Sequence, residues 1–545
     1  MPEYVEVPAS ETELVYPTCQ PVGGSGLPAQ RPATRIPKVS RAGGLILLLT
    51  ACAALYRLLG FVRELLIAHQ FGTSLPADAY IAALYLPQFF LILLANNTLA
   101  PSLIPFLLRP EAEGEWERIN AAFNTFAGLG LLLSGFLLIS APWLTAWMFP
   151  GLSGTALLLT IRLSQCMAPA VFFLLASVAL SAVFQTKEKF MYPAVSGILS
   201  VAVMVLSVIA APHLWGVYTL ALGVTAGAAL QLGILFAGLV ADGWEVSARR
   251  SGFAWMPIAH GLPLLFVTFC FVALDLLARM FASKLPEGSI SSLIYAMKLA
   301  VLPGAIFGIP LTTVVFPRLA HLSQAREHGA HSMVSTQVLA LLLVVMAPLA
   351  VLAFILRRPV VEVLFHRGMF NEHSVWLTSS ALAGLAPAIL FGPFTVVLQT
   401  LFYSRGDRRT PVVSCIPLLV AMGLGGSVMG RFWGIAGIAA SYSIAWMAAA
   451  LFLLLRSALD ASGSEIRRGI FWSAQTLLAA VACGAVTARL LPGNSAGDGV
   501  HLPSLALAAG MYLPLYLLLL GLFNSRSARL CMGVLRSLIR RLPVA

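Results

Sequence analysis

The sequence predicts an all-α polytopic membrane protein with about fourteen transmembrane helices, and three observations support this fold class. The chain has 545 residues, of which 59% are hydrophobic and 10% are charged, and its mean hydropathy of +0.89 lies outside the range of soluble proteins. Its apolar residues fall in runs of about 20, the length of a helix that crosses a bilayer. Irregular backbone cannot face lipid, so we interpret these runs as helices.

The apolar runs are each bounded by charged residues, Gly or Pro, and we number them spans 1 to 14. Their approximate limits are 44–67, 79–105, 121–149, 156–184, 192–211, 214–240, 258–282, 292–316, 333–356, 375–403, 411–428, 433–455, 470–487 and 505–523. Residues 1–42 are polar and rich in Pro, Gly, Ser and Thr, so we expect a disordered tail there. The first apolar run is too long and too late for a signal peptide, and span 1 is expected to be retained.

The basic residues predict the orientation, because Lys and Arg are retained on the cytoplasmic side of a membrane. With both termini in the cytoplasm, the tails and cytoplasmic loops hold 23 of the 34 Lys and Arg residues, the outer loops hold six and the spans hold five. The net charge of +12 therefore mostly reflects this bias rather than a nucleic-acid-binding surface. Seven scattered cysteines form no C-x-x-C pair, which favours neither a disulfide framework nor a metal site.

The second half of the chain repeats the first. The segment VFQTKEKFMYPAV matches LFYSRGDRRTPVV at an offset of 218 residues, and three further landmarks keep an offset of 216 or 218. Six helices per copy give both copies the same orientation in the membrane. The predicted parts are a disordered cytoplasmic tail (1–42), a first lobe of spans 1–6 (43–241), a second lobe of spans 7–12 (242–456), spans 13 and 14 (457–523), and a basic cytoplasmic tail (524–545).

Charged residues inside the spans are the candidates for function, because each costs at least about 2.5 kcal/mol at mid-helix without a partner or an aqueous cavity. Two of them have simple structural explanations. Arg279 follows Asp275 by one helical turn, and we interpret the two as an i,i+4 pair. Arg162 lies close enough to the end of its span to extend to the interface.

The other three intramembrane cations lie in spans 1 and 8. Arg57 and Lys298 have no acidic residue within one turn of their own helices, so their partners must come from elsewhere. Arg63 adjoins Glu64 in sequence but points about 120° away from Arg57, and we expect it to reach the outer interface.

The duplication places Arg57 and Lys298 in opposite lobes, where they can face one central cavity. We therefore predict a cationic pocket for an anionic substrate such as a phosphate or pyrophosphate, which Arg binds through its planar fork. The alternative is pairing between helices with Glu64, Asp78 or Asp275. An excess of cations persists even when all three acids are used, which favours the pocket.

Helix breakers interrupt the same spans and are candidate gates. Gly60 in span 1, Pro87 in span 2 and the pair Pro303 and Gly304 in span 8 weaken the helix or free backbone groups that need cavity water or neighbouring helices. The alternative is the general abundance of Gly and Pro in membrane helices.

Around these residues the sequence resembles the MurJ (MviN) lipid II flippases of the MOP exporter superfamily. The similar blocks are RLLGFVRELLIAHQFG with ADAYIAALYLP, ARMFASKLPEGSISSLIYAMKLAVLPGAIFGIPLTTVVFPRLAHLS, VLFHRGMFN and FYSRGDRRTPV, and the resemblance runs from about residue 44 to about residue 525. It implies two lobes around a central cationic cavity, with the last two helices forming a groove for a polyprenyl tail. Carried over by motif, it implies these substrate-binding residues: Arg57, Arg63, Asp78, Arg279 and Lys298.

The chain departs from the family pattern at two places. Ala278 stands where an acid usually precedes the Arg of the seventh helix. Leu91 and Ile92 stand where many members have Arg-Arg, and the amides Asn96 and Asn97 follow. Because amides suit sugar hydroxyls, we add Asn96 and Asn97 to the candidate substrate-binding residues.

The resemblance implies a flippase that moves an undecaprenyl-pyrophosphate-linked saccharide, foremost the peptidoglycan precursor lipid II, from the cytoplasmic to the outer leaflet of the bacterial inner membrane by alternating access. Two alternatives are a flippase for an exopolysaccharide or O-antigen repeat unit on the same carrier, and a cation-coupled multidrug antiporter of the superfamily. An enzyme is disfavoured because the outer loops are short and lack a convergent set of His and carboxylates. We expect no cofactor, metal or nucleic acid; the expected partners are the lipid-linked saccharide, membrane lipids and, unless the membrane potential drives transport, a coupling cation.

Overall fold

The computed structural model describes residues 39–93, 100–108, 114–245, 247, 262–325, 328–459, 475–487, 510–512 and 514–518. The described residues from Leu49 onward form one compact unit, and the described residues before Leu49 belong to another. The predicted first tail lies outside the described residues up to residue 38, and the predicted tail 524–545 lies outside them entirely. The helix of span 1 begins at Val39, five residues earlier than predicted.

The described residues form helices and no strands. In chain order the helices are α1 (Val39–Phe71), α2 (Leu75–Leu91), α3 (Ala100–Leu107), α4 (Glu115–Met148), α5 (Gly154–Thr186), α6 (Met191–Ala210), α7 (Val217–Ala241), α8 (Leu262–Ala282), α9 (Ser289–Pro303), α10 (Ile309–Gln324), α11 (His328–Ile355), α12 (Arg357–Phe365), α13 (Glu372–Ser404), α14 (Arg409–Leu459) and α15 (Gln475–Thr487). A π-helical segment, Gly304–Gly308, joins α9 to α10.

Eight helices of the described residues are long and apolar enough to cross a membrane. They are Glu115–Met148, Gly154–Thr186, Met191–His213, Val217–Ala241, Ser289–Gln324, Met333–Ile355, Glu372–Ser404 and Arg409–Ser457. The predicted all-helical, multi-pass fold class is therefore confirmed. The count of fourteen spans remains a prediction.

Two predicted spans differ from the structure in their course. Span 2 is interrupted, because α2 ends at Leu91 and α3 begins at Ala100, with residues 94–99 outside the description. Span 8 is also not one regular helix: Pro303 ends α9 and the π segment follows, since proline removes a backbone donor and disturbs the preceding turn. Spans 11 and 12 correspond to the two helices within α14, which meet where the backbone leaves the helical region at Gly434 (φ 56°, ψ −133°).

The sequence offset of 218 recurs in the backbone. The bounds of α5 and α13 differ by this offset at both ends, and each helix has 33 residues. The same offset relates two backbone breaks, at Gly216 (φ 58°, ψ −130°) and Gly434. It also relates Glu188 (φ 57°) and Gly406 (φ 79°) in the turns after α5 and α13. Positive φ is rare for residues other than Gly, so this agreement reflects a repeated backbone course.

Exposed tryptophans mark one membrane interface. Trp143 and Trp147 end α4, Trp215 precedes α7, Trp376 begins α13 and Trp433 lies at the break in α14; each is at least 55% exposed. Tryptophan concentrates at the interface between lipid and water. All five lie near the helix ends that the predicted orientation places outside, and we call this end of the molecule the outer end.

The predicted outer loop 357–374 contains a helix that the sequence analysis did not predict. α12 is amphipathic, with Val361 and Phe365 buried and Arg358 exposed, which is typical of a surface helix. Arg358 donates from Nε to Glu362 Oε1 at 2.6 Å, and this hydrogen bond holds the pKa of Arg358 above its ordinary value.

Candidate functional site

Three charged side chains meet between α1 and α9. Glu64 of α1 is buried, and its Oε1 lies 2.6 Å from Arg63 Nη2 and 3.6 Å from Nζ of Lys298 on α9. The side chain of Arg63 is only 12% exposed, so its predicted route to the outer interface is wrong: the adjacent carboxylate holds it inside. Lys298 has the interhelical partner that the alternative interpretation named, yet its side chain remains 47% exposed.

Arg57 is the third cation of this region. It is exposed, and its Nη1 makes a long contact of 3.5 Å with the carbonyl oxygen of Ala305 in the π segment. Within the described residues, Arg57 forms no ion pair. Arg63 and Lys298 thus share the carboxylate of Glu64, and Arg57 adds a further positive charge to this region, so the cluster carries a net positive charge.

Arg279 belongs to a separate network. The predicted pair is confirmed, because Arg279 Nη1 lies 3.8 Å from Asp275 Oδ2. The guanidinium also stacks on the ring of Tyr85 of α2 at 4.1 Å, and the hydroxyl of Tyr442 donates to Asp275 Oδ1 at 2.9 Å. Asp275 on the same helix therefore neutralises the charge of Arg279. Arg162 is exposed, as expected of a side chain that extends to the interface.

Asp78 connects the two halves of the chain. Its carboxylate accepts hydrogen bonds from the backbone N–H groups of Gly288 and Ser291, both at 2.7 Å. These donors lie at the start of α9, where N–H groups have no partner within the helix and where the helix dipole favours a negative charge. Asp78 therefore caps a helix of the second half from α2 of the first.

Further hydrogen bonds join the halves at the outer end. The hydroxyls of Thr73 and Ser374 lie 2.7 Å apart, and the carbonyl oxygen of His69 accepts from the N–H of Met369 at 2.8 Å. Together with Asp78, these contacts hold residues 69–78 against the second half. The two halves of the chain are in direct contact at this end.

The predicted gating residues lie in different surroundings. Pro303 is the last residue of α9, and Gly304 opens the π segment. A Cβ atom on Gly304 would lie 2.9 Å from Cγ of Pro393 on α13, whereas one on Gly60 would meet nothing within 4 Å. Pro87 is buried inside α2. Gly304 in the π segment therefore packs closely against the neighbouring helix α13, whereas Gly60 has open space beside it.

The structure describes only part of residues 91–97, where the family pattern has two arginines that this chain lacks. Leu91 and Ile92 are half-buried, while Asn96 and Asn97 lie outside the described residues. The sequence analysis did not list Glu64 as a site residue, although the structure makes it the shared partner of two cations. Its adjacency to Arg63 was the available signal, but a contact with Lys298 on another helix cannot be inferred from sequence spacing.

The family model described as lipid II flippase MurJ matches residues 67–503. The chain belongs to the MurJ family. Among MurJ relatives, the lipid II flippase MurJ of Burkholderia cenocepacia is 27% identical over 425 residues, which cover 75% of this chain and 82% of the relative. The probable lipid II flippase MurJ of Haemophilus influenzae is 26% identical over 468 residues, which cover 80% of this chain and 90% of the relative.

Solved structures have the same fold as this MurJ family member. A lipid II flippase MurJ in an inward closed conformation matches with a TM-score of 0.73 and 19% identity, covering 88% of this chain and 99% of the other. An inward-facing multidrug resistance MATE transporter of the MOP superfamily matches with a TM-score of 0.62 and 12% identity, covering 75% and 96%. The chain is thus a multi-pass membrane protein of a flippase family.

Proposed function

We propose that this chain is a lipid II flippase of the bacterial inner membrane, which moves the undecaprenyl-pyrophosphate-linked precursor from the cytoplasmic to the outer leaflet. Membership of the MurJ family supports the substrate. The observation that carries the proposal is the surplus of positive charge around Glu64, whose carboxylate pairs with Arg63 and Lys298 while Arg57 contacts only the carbonyl oxygen of Ala305 nearby. A polyanion balances such a cluster, and pyrophosphate is a polyanion.

The exposed members of the cluster are the proposed first contacts of the pyrophosphate. Arg57 has a single long contact, and Lys298 is 3.6 Å from its carboxylate, so both can exchange partners. Hydrogen bonds to charged groups contribute about 1.5–3 kcal/mol each. Arg279 is proposed to act through Tyr85 and α2 rather than by reaching the substrate, because its charge is already paired.

Alternating access between two lobes is the proposed mechanism. Fourteen spans, with lobes at residues 43–241 and 242–456, agree with the recurring offset of 218. In this proposal the contacts between the halves close the outer side, and Asp78 serves this outer closure rather than the substrate. Opening outward would break the hydrogen bonds that Asp78 makes with α9, and the π segment would bend as the gate.

Spans 13 and 14 are proposed to guide the polyprenyl tail. In their described parts, Tyr512 donates to the carbonyl of Ala480 at 3.1 Å and Tyr516 to the carbonyl of Val344 at 3.0 Å. These bonds connect the two last spans to each other and to α11. The tail would remain in lipid beside them while the pyrophosphate crosses between the lobes.

A lipid-linked exopolysaccharide or O-antigen repeat unit is the second candidate substrate. Leu91 and Ile92, which replace two arginines of the family pattern, favour it. Two lost charge-assisted contacts would weaken binding of an acidic peptide stem such as that of lipid II by about tenfold or more each. Arg57, Arg63 and Lys298 are all retained, which favours lipid II.

The deciding experiment expresses this chain in a bacterium depleted of its own lipid II flippase. Growth and the amount of lipid II that an external probe reaches in the outer leaflet are both measured. We expect rescue on both measures, with Arg57→Ala as the inactive control. A well-expressed wild-type chain that rescues neither would reject lipid II. Recovery by Leu91→Arg with Ile92→Arg would then trace the defect to the missing cations.

A further inference from the structure

We propose that Met204 of α6 is a positioning residue for Arg63, which it holds through a weak contact so that the remaining donors of the guanidinium can bind the pyrophosphate of the substrate. The proposal rests on the function proposed above. Its basis is the distance between Met204 Sδ and Arg63 Nη1, which is 3.2 Å.

The guanidinium of Arg63 is incompletely satisfied. It has five N–H donors. In the described part of the chain, Nη2 donates to Glu64 Oε1 at 2.6 Å, Nη1 donates to Met204, and Nε is buried with no acceptor. A buried donor without an acceptor raises the free energy of the folded protein by about 1–3 kcal/mol. Arg63 therefore retains donors that an incoming phosphate oxygen can satisfy.

The chemistry of the thioether explains why methionine suits this position. Sulfur is a weak hydrogen-bond acceptor, so Met204 orients Nη1 without neutralising the charge of Arg63. A carboxylate at the same place would compete with the substrate. Phosphate oxygens accept from guanidinium with roughly twice the strength of a neutral acceptor, and the donors of Arg63 that Met204 does not occupy are therefore available to phosphate.

The backbone around Met204 is held in place although its side chain is adaptable. The hydroxyl of Ser207 donates to the Met204 carbonyl at 2.7 Å. On α7, Gly223 faces Ser207 so closely that an added Cβ would overlap with the hydroxyl, so α6 and α7 are in direct contact. The unbranched side chain of Met204 can then move while its Cα atom stays fixed.

The test measures binding of farnesyl pyrophosphate, a short isoprenyl pyrophosphate, to the purified full-length protein in nanodiscs. Met204→Leu removes the sulfur at similar volume and should raise Kd about three- to tenfold. In transport assays the same variant should raise KM and leave the rate at saturation near that of the wild type. Met447→Leu, at a methionine that is 41% exposed on α14, is the matched control and should change neither.

A comparison in the Arg63→Ala protein distinguishes positioning of Arg63 by Met204 from an effect of Met204 on packing. In the Arg63→Ala protein, Met204→Leu should have no further effect on Kd, because the group that it positions is gone. An unchanged Kd for Met204→Leu, or an equal loss in both backgrounds, would overturn the inference while leaving the proposed function standing, provided that Arg57→Ala abolishes binding. A folded wild-type protein that does not bind farnesyl pyrophosphate would reject both.

Discussion

Glu64 sets the charge of the site because two cations, Arg63 and Lys298, share its carboxylate. Arg63 approaches it to 2.6 Å and Lys298 to 3.6 Å, and Arg57 contacts only a carbonyl oxygen. A buried carboxylate with one close partner is already stabilised. Lys298 and Arg57 are therefore the cations that the protein can lose without leaving a buried charge unpaired.

The first prediction follows from this difference. Arg57→Ala and Lys298→Ala should each lower transport of the lipid-linked substrate at least tenfold, since each removes a contact worth about 1.5–3 kcal/mol. Both proteins should still insert and accumulate, because Arg63 continues to pair with Glu64. Transport into vesicles and immunoblots of the membrane fraction measure the two properties.

Two further variants complete that comparison. Arg162→Ala should be mild, because Arg162 is exposed and belongs to no cluster. Arg57→Lys should retain part of the activity if charge dominates and almost none if a bidentate fork is needed. Normal transport by both Arg57→Ala and Lys298→Ala would exclude the cationic pocket.

At the scale of elements, the π segment is the irregular part of the span that carries Lys298. Gly304 gives it room, since an added Cβ would lie 2.9 Å from Cγ of Pro393. Gly304→Ala should therefore destabilise the protein by about 1–3 kcal/mol through overpacking and reduce transport. Thermal unfolding of the purified protein and vesicle transport measure these effects.

A double variant identifies the cause of that loss. Pro393→Ala removes the ring carbon that the new methyl group would meet, so Gly304→Ala with Pro393→Ala should recover stability relative to Gly304→Ala alone. Gly60→Ala, where nothing lies within 4 Å of the added Cβ, is the control for adding a methyl group to a helix. Equal effects of Gly304→Ala and Gly60→Ala would show that close packing is not the reason.

The turn before α14 gives a second prediction at this scale. Asp407 Oδ1 accepts from the N–H groups of Arg409 and Thr410 at 2.9 and 3.1 Å, and Oδ2 accepts from the Thr410 hydroxyl at 2.6 Å. Burial opposes ionisation, but these hydrogen bonds hold the pKa of Asp407 below its ordinary value. Asp407→Ala should lower the free energy of unfolding by about 1 kcal/mol.

The pH dependence of that contribution has a definite sign. Because the pKa of Asp407 is lower in the folded protein, its stabilisation is present above the pKa of the unfolded chain and is lost as pH falls through the folded value. The difference between wild type and Asp407→Ala should therefore persist at neutral pH and shrink in strong acid. Arg408→Ala, at the exposed neighbour, should show no such difference. A difference that is constant with pH would contradict the capping role.

At the scale of the whole molecule, hydrogen bonds join the two halves at the outer end. The hydroxyls of Thr73 and Ser374 come from opposite halves and lie 2.7 Å apart. In a chain otherwise free of cysteine, Thr73→Cys with Ser374→Cys should form a disulfide under mild oxidation. The bond should stop transport, and a reducing agent should restore it.

The single variants are the controls for this cross-link. Thr73→Cys and Ser374→Cys alone should transport under the same oxidant, which excludes an effect of oxidation elsewhere. Full transport by the cross-linked protein would show that the outer end need not open.

Orientation gives the last prediction. Residues 68–78 and 357–374 should face outside, because 23 basic residues against six favour cytoplasmic termini. Met369→Cys, at a side chain that is 62% exposed, should react with an impermeant thiol reagent in intact spheroplasts. Arg408→Cys, exposed in the opposite loop, should react only after lysis. Reaction of Arg408→Cys, but not of Met369→Cys, in intact spheroplasts would show that the topology is opposite to the predicted one.

Much of the fold could be predicted because it depends on local or periodic properties of the chain. Apolar run length determined the helices, and charge within the apolar spans marked Arg57, Arg63 and Lys298 as exceptional. The repeated motif around Phe184 and Phe402 predicted a backbone course that recurs at the same offset in α5 and α13. The family pattern at these residues also led to MurJ without any tertiary contact.

The tertiary structure alone decided which groups are partners. Asp78 accepts hydrogen bonds at the start of α9 from Gly288 and Ser291, which follow it by 210 and 213 residues in the sequence. Lys298 pairs with Glu64 on a helix of the other half. Arg63 was wrongly expected at the interface, because helical periodicity gives the direction of a side chain but not the helix that lies there. Partners between distant helices depend on packing, and packing is a property of the folded chain rather than of any segment of it.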